Sequence, residues 1–301
     1  MDKIFLRAPA KLNLSLDITG RREDGYHLLE MIFQAIDLFD FISIERTANP
    51  GLTLSCNLPG IPDDSRNIAW KAAEHFLSSP ALPPYTGGFQ ITLQKQIPHQ
   101  AGMGGGSADG AAVLMGLNEL YEKPFTIREL CAMGVQIGAD IPFCMVGGTC
   151  LAKGIGEALT PLRPFSAPAI LVAKPKAGVS TVEAYALFDR LPAVSHPDTP
   201  RLLSLLEQGD WRTFAAHMQN VLEQAVPLTE IAELRRELGL WGSLGSQMTG
   251  SGSAVFGIYE SILTAERARQ HLQERFGSEL QTFICRPFPH GVETVPCSVA
   301  C

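Results

Sequence analysis

Pro98-His-Gln-Ala-Gly-Met-Gly-Gly-Gly-Ser-Ala-Asp-Gly-Ala-Ala112 decides how the rest of this 301-residue chain is read. Gly102, Gly104, Gly105 and Gly106 remove four side chains within five positions, and a helical pattern begins immediately afterwards. Backbone N–H groups in such a loop approach an anion closely, and a helix start adds unpaired N–H groups and a positive dipole end. A phosphate suits that arrangement. Ser107 reads as the N-cap, with the helix opening at Ala108 and Asp109. A merely flexible turn is the rival reading, but it has no need to feed straight into a cap. Two common nucleotide loops are excluded by residue identity. A Walker A loop needs Gly-Lys-Ser/Thr, and no lysine lies between Lys95 and Lys123. A dinucleotide fingerprint needs glycine where Ser107 stands.

Beyond the loop, Val113, Leu114, Leu117, Leu120 and Tyr121 fall at helical spacing, and Pro124 stops the helix. Thr126-Ile-Arg-Glu129 is a capping box opening a second helix with the stripe Leu130, Met133, Gly134 and Ile137. Gly138 is expected to end it in a left-handed cap, leaving Asp140 just past the helix, with Ile141 held extended by Pro142.

Composition narrows the class. A net charge of −7 argues against nucleic acid as a partner, although 24 Lys and Arg leave room for local basic pockets. No apolar run approaches the roughly 20 residues that span a bilayer, and Met1 to Arg7 turns polar too soon for a signal peptide. The seven cysteines form no Cys-x-x-Cys pair, so neither a zinc site nor a disulfide framework is indicated. A reducing, cytoplasmic location fits.

Lys11 to Ile18 alternates strictly, so Leu12, Leu14, Leu16 and Ile18 face a core while Lys11, Asn13, Ser15 and Asp17 face the other way. Taken alone, the second set is a solvated strand face, and Pro9 suggests a strand end or sheet edge. Gly20 to Gly25 is a polar turn leading to Tyr26-His27. Segments 41–45, 52–56, 89–93, 169–173 and 282–285 read as strands. Helices are expected over 68–77, 181–187, 202–206, 211–225 and 266–276. Met248-Thr-Gly-Ser-Gly-Ser253 is a second glycine–serine turn entering a strand. Strands first and helices after give an α+β arrangement. Gly154, Gly156, Pro161, Pro164 and Pro168 suggest a boundary, dividing the chain into 1–158 and 159–301.

Four pieces, in order, resemble the motifs of the GHMP small-molecule kinases: Pro9-Ala-Lys-Leu-Asn-Leu14, the Gly102 to Ala112 loop, Gly138-Ala-Asp-Ile-Pro142 and Thr249-Gly-Ser-Gly-Ser253. Asp24-Gly-Tyr-His27 points to the branch that acts on a cytidine diphosphate alcohol of the non-mevalonate isoprenoid pathway. The resemblance spans roughly residues 4 to 285. It implies a two-domain α+β fold with the active site in the interdomain cleft: an ATP-binding domain over 1–158 and a substrate-binding domain over 159–301. The implied reaction transfers the γ-phosphoryl group of ATP to the substrate's 2-hydroxyl.

The resemblance also implies roles. Asp140 would take the hydroxyl proton with Lys11 beside it, which reverses the solvated reading of Lys11. Asn13 would orient the same groups. Ala101, Gly102, Met103, Gly104, Gly105, Gly106, Ser107, Ala108 and Asp109 would hold the ATP phosphates, with Asn67 and Lys95 near its nucleoside. Mg²⁺ would bridge phosphate oxygens, with no protein ligand assigned. Tyr26 and His27 would read the cytidine, Tyr185 would lie on the opposite side of the base, and Gly250, Ser251 and Gly252 would close over the substrate. The partner is a small cytidine diphosphate molecule, with neither nucleic acid nor membrane, and the protein a monomer or weak dimer. Two departures stand out: Ala108 replaces a usual serine, and Gln100 a usual glycine. The tail from Pro287 to Cys301 matches no motif. Rival readings are a GHMP kinase of other specificity, a non-catalytic relative that only binds ligands, and a nucleotide-binding oxidoreductase, which the failed fingerprint opposes.

Overall fold

The alternation at Lys11–Ile18 belongs to a much longer strand. In the computed structural model, which describes residues 2–83 and 85–297, β1 spans Lys3–Arg21 and pairs antiparallel with β2, His27–Thr47. Pro9 lies inside β1, not at its end. The register against β2 shifts between Pro9 and Ala10, and such an irregularity accommodates a residue that cannot donate to the ladder. Both faces of β1 are covered: Lys11, Asn13, Ser15 and Asp17 are only 0–7% exposed, like the leucines between them. The solvated reading of that face is therefore corrected by a second layer of protein.

The chain continues through β3 (Gly51–Cys56), α1 (Ile68–Leu77), β4 (Gly88–Gln94), α2 (Gly105–Leu120), α3 (Ile127–Ile137), α4 (Ile141–Val146), β5 (Thr149–Gly154) and β6 (Ala158–Pro161). It then forms β7 (Ala169–Pro175), α5 (Thr181–Phe188), α6 (Thr199–Gln208), α7 (Trp211–His217), α8 (Thr229–Leu240), β8 (Gly245–Met248), β9 (Val255–Tyr259), α9 (Ile262–Phe276), β10 (Leu280–Cys285) and β11 (Glu293–Thr294). Among the described residues these strands make two sheets. The first has seven strands in the order β11-β1-β2-β4-β3, with β5 on β2 and β6 on β5; the second is β10-β7-β9-β8. β2 is long enough to pair β4 through Phe41–Thr47 and β5 through Leu29–Gln34, so it serves both ends of the sheet.

The boundary expected at 158/159 falls inside β6, which still belongs to the first sheet. The uninterpreted tail also returns there: Phe288 N–H donates to Ala35 at 2.7 Å, and β11 pairs with β1. Residues 298–301, including Cys301, lie outside the described residues. The helix expected over 211–225 breaks after α7, where Met218 turns extended, and resumes as a short 3-10 turn at Val221–Gln224. Helix α8, unanticipated, buries Ile231, Leu234 and Leu238.

Two local expectations are also revised. Gly138 is extended rather than left-handed, with φ −170° and ψ 136°. Ile141 opens helix α4 instead of remaining extended, because a proline at the second helical position lacks only an N–H that the first turn would leave unpaired. The Thr126–Glu129 capping box forms on both sides as expected.

Candidate active site

Helix α2 starts three residues earlier than Ser107 as a cap suggests. Gly104 is its N-cap, at φ 72° and ψ 17°, and no side chain caps it. Glycine takes that left-handed backbone without the penalty a Cβ brings. The first intrahelical bond is Ala108 N–H to Gly104 O at 2.8 Å, which leaves the N–H groups of Gly105, Gly106 and Ser107 without helical partners. They line a cleft of about 1210 Å³ together with Ala101, Gly102 and Met103. Three free donors at the positive end of a 16-residue helix fit a phosphate group. Ala108 and Asp109 cannot share that task through their N–H groups, because they already lie within the hydrogen-bonded helix.

The acid and the ammonium meet on the same cleft. Lys11 Nζ lies 3.5 Å from Asp140 Oδ2, donates to Asn13 Oδ1 at 2.6 Å and sits 4.9 Å from the centre of the Phe33 ring. Asn13 Oδ1 also faces Thr249 Oγ1 at 3.5 Å, so its amide is oriented by two donors. The Lys11 N–H donates to Met103 O at 3.0 Å, and a Cβ on Gly104 would fall 2.9 Å from Lys11 Cγ. The lysine stem thus packs directly on the anion cradle. Asp140 is the N-cap residue of α4, yet its carboxylate makes no cap bond and remains turned to Lys11.

Beneath the cradle lies a charged cluster that the sequence did not suggest. Lys95 Nζ pairs with Asp40, with Asp109 Oδ2 at 2.5 Å, and donates to Gly105 O at 3.2 Å. Asp40 also accepts from the N–H groups of Gln96 and Ile97. Burial pushes the Asp109 carboxyl up to about 7, with Lys95 pulling down and Asp40 pushing up. Asp40 is raised by burial as well, against the pull of Lys95. Lys95 reaches the cleft wall, but its ammonium is committed to this cluster. Asn67 caps α1 through Ala69 N–H and donates to Pro62 O, and it is not among the cleft-lining residues.

At the other end of the cleft the His27 and Tyr185 rings stack at 4.8 Å between centroids. Tyr185 thereby supports the His27 ring from α5. Burial, and then the nearby Asp140 carboxylate, raise the Tyr185 phenol. Tyr26 is 61% exposed at the cleft rim.

Gly250, Ser251 and Gly252 line the cleft next to the Gly102 loop, and the two glycine turns are joined: Ala254 N–H donates to Ala101 O at 3.2 Å, and Ser253 N–H to Gln100 O at 3.4 Å. Ser251 also shares a 2.9 Å hydrogen bond with Thr181, at the start of α5. Gln100 adopts φ 51°, a conformation that a glycine would take more easily, and its side chain fills the space beside Gly178. Gly102 has φ 72°, and a Cβ there would lie 2.1 Å from Thr249 O. Gly102→Ala should therefore cost about 2 kcal/mol or more, from left-handed strain plus separation of the turns. Urea unfolding measures the loss; an unchanged midpoint would refute the close packing.

Among the described residues, no three His, Cys, Asp or Glu side chains cluster as a metal site. Ser107, Ser180, Thr181 and Ser251, with the phenols of Tyr26 and Tyr185, are the hydroxyl-bearing residues on the cleft wall.

Comparison with known proteins gives the family and the fold. Residues 67–148 match the family model described as GHMP kinases N terminal domain, and 202–278 match GHMP kinases C terminal. The 4-diphosphocytidyl-2-C-methyl-D-erythritol kinase of Clostridium botulinum (strain Eklund 17B / Type B) is 41% identical over 283 residues, covering 93% of this chain and 99% of that protein. The enzyme of the same name from Alkaliphilus oremlandii is 43% identical over 298 residues, 97% of this chain and 99% of that one. A crystal structure of 4-(cytidine 5'-diphospho)-2C-methyl-D-erythritol kinase superposes with a TM-score of 0.77 at 32% identity, covering 95% of this chain and all of that one. Homoserine kinase from Cytophaga hutchinsonii shares the fold, with a TM-score of 0.81 at 19% identity, over 98% of each chain.

Proposed function

The chain belongs to the GHMP kinase family, and on that premise we propose that it phosphorylates the 2-hydroxyl of 4-diphosphocytidyl-2-C-methyl-D-erythritol with ATP, in the non-mevalonate route to isoprenoids. Identity near 40% over almost the whole chain with kinases of that name supports the substrate. The observation that carries the mechanism is the 3.5 Å approach of Lys11 to Asp140 beside the α2 cradle.

The N–H groups of Gly105, Gly106 and Ser107 hold ATP phosphates, and ATP supplies the phosphoryl group. A tertiary alcohol is a poor nucleophile. Asp140 accepts its proton as the new O–P bond forms and the bond to the leaving ADP breaks. Lys11 offsets the negative charge that grows on the alcohol oxygen, and Asn13 holds the ammonium in place. The Ser107 hydroxyl is the side-chain oxygen within the cradle that suits Mg²⁺, which would neutralise phosphate charge. Residues 1–158 supply the cradle and the acid. Residues 159–301 contribute α5 and the Gly250–Gly252 turn, which close over the substrate's phosphates or alcohol end. Among the described residues no helix is long and apolar enough to cross a membrane, and a cytoplasmic monomer or weak dimer fits the small-molecule substrate.

Mixing the purified protein with ATP, Mg²⁺ and the cytidine diphosphate alcohol should release ADP stoichiometrically with phosphorylated alcohol. Chelating the metal with EDTA should lower turnover at least about a hundredfold, because the γ-phosphate charge is then incompletely neutralised. Activity on homoserine or mevalonate in place of the cytidine compound would refute the substrate assignment.

A further inference from the structure

His27 is held on several sides. Its Nε2 lies 2.7 Å from Asp189 Oδ1, the Tyr185 ring stacks on one face, and the Phe188 ring meets it edge-on with centroids 6.3 Å apart. The three supports come from α5 and its C-cap, at positions i, i+3 and i+4, so one helical face aims at one imidazole. Asp189 is in turn approached by Arg21 Nη1 at 3.4 Å, and Arg21 Nε donates to Gly25 O, within the turn that carries Tyr26. An aspartate is out of place at a helix C-cap, where the dipole end is already negative. Local helix energetics do not explain it; the contact with His27 and Arg21 does.

A carboxylate can only accept, so Nε2 bears the hydrogen of the Nε2–Asp189 bond. In a neutral imidazole the other nitrogen is then an acceptor. Among the described hydrogen bonds none engages His27 Nδ1, and the residue lines the cleft beside Arg21, Tyr185 and Asp189. An acceptor at that point can take a hydrogen from the exocyclic amine of cytosine. Uracil offers a carbonyl oxygen in its place, which would leave two acceptors facing each other. Resting on the cytidine reading above, we infer that Asp189 is a positioning residue that sets the preference for cytosine over uracil by fixing which nitrogen of His27 accepts.

The inference is tested by calorimetric titration of the full chain with CDP and with UDP at pH 8, for the parent and for Asp189→Asn. The parent should bind CDP at least about tenfold more tightly than UDP. An asparagine amide can present either its oxygen or its NH₂ to Nε2, so the tautomer is released. The preference should then shrink to within about threefold, chiefly through weaker CDP binding. A variant that keeps the parent's ratio, or weakens both nucleotides by one factor, overturns the inference and leaves the kinase reading intact. A parent that binds neither nucleotide, or prefers UDP, removes the cytidine reading and this inference with it. Nitrogen-15 spectra of the parent's histidines supply a readout independent of the variant's folding: a hydrogen on Nδ1 of neutral His27 would overturn the assignment by itself.

Discussion

Asp140→Ala should lower kcat about a thousandfold while leaving ATP affinity within about threefold of the parent. The carboxylate stands beside Lys11 and makes no cap bond to α4, so removing it takes away the proton acceptor without unpairing the helix end. Lys11 keeps its bond to Asn13 and its seat over Phe33, which holds the ammonium where it was. The cradle N–H groups, which are proposed to hold the nucleotide, belong to a different helix. Asp140→Asn is the sharper control, because it preserves shape and removes basicity. Both variants should lose kcat and kcat/KM together, the pattern of an interaction made in the transition state. A raised KM at unchanged kcat would make Asp140 a binding group, and parental turnover would end its assignment as the base.

The parts of the site that were legible in the sequence are those written in contiguous residues. The Gly102–Gly106 loop, the Lys11–Ile18 alternation, the Thr126–Glu129 box and the Met248–Ser253 turn each announce a backbone geometry through local chemistry. Even there the cap was displaced. Ser107 has the right side chain, but Gly104 can adopt the left-handed backbone, and three N–H groups are freed one turn earlier than expected. What could not be read is the pairing of distant residues. Lys95 meets Asp40 and Asp109 only because β2, β4 and α2 converge, and Asp109 alone looks like a helix-start acid. The enclosure of Asn13 depends on Gln247 and Thr249, more than 230 positions away. Tyr185 lines the cleft as expected, but nothing in the sequence says that its ring touches His27. Helix α8 was readable from the spacing of Ile231, Leu234 and Leu238. The two-residue strand β11 carries no periodic signal.

Lys95→Met should destabilise the fold by about 3–5 kcal/mol near neutral pH, the scale for leaving buried carboxylates without their cation. Methionine fills much of the same volume, so the loss would be mainly electrostatic. Lys95 itself shows how the balance runs: burial alone would lower its pKa, but Asp109 and Asp40 outweigh that and hold it raised. The pH dependence distinguishes this from a packing defect. The folded Asp109 carboxyl titrates near 7 against an ordinary value of 3.8, so the folded state keeps a proton that the unfolded chain has released. Stability of the parent therefore falls as pH rises between those values and levels off above the upper one. Without Lys95 both carboxyls move further up, which extends the falling range beyond pH 7. The difference between variant and parent should accordingly be larger at pH 8 than at pH 5, where both acids can hold protons and the missing cation matters less. Urea unfolding at the two pH values measures it. Because Lys95 also donates to the carbonyl of Gly105, the variant should bind ATP more weakly even where it remains folded. Equal destabilisation at pH 5 and pH 8 would mean that Lys95 acts through volume alone, and the charged floor beneath the phosphate cradle would lose its physical basis.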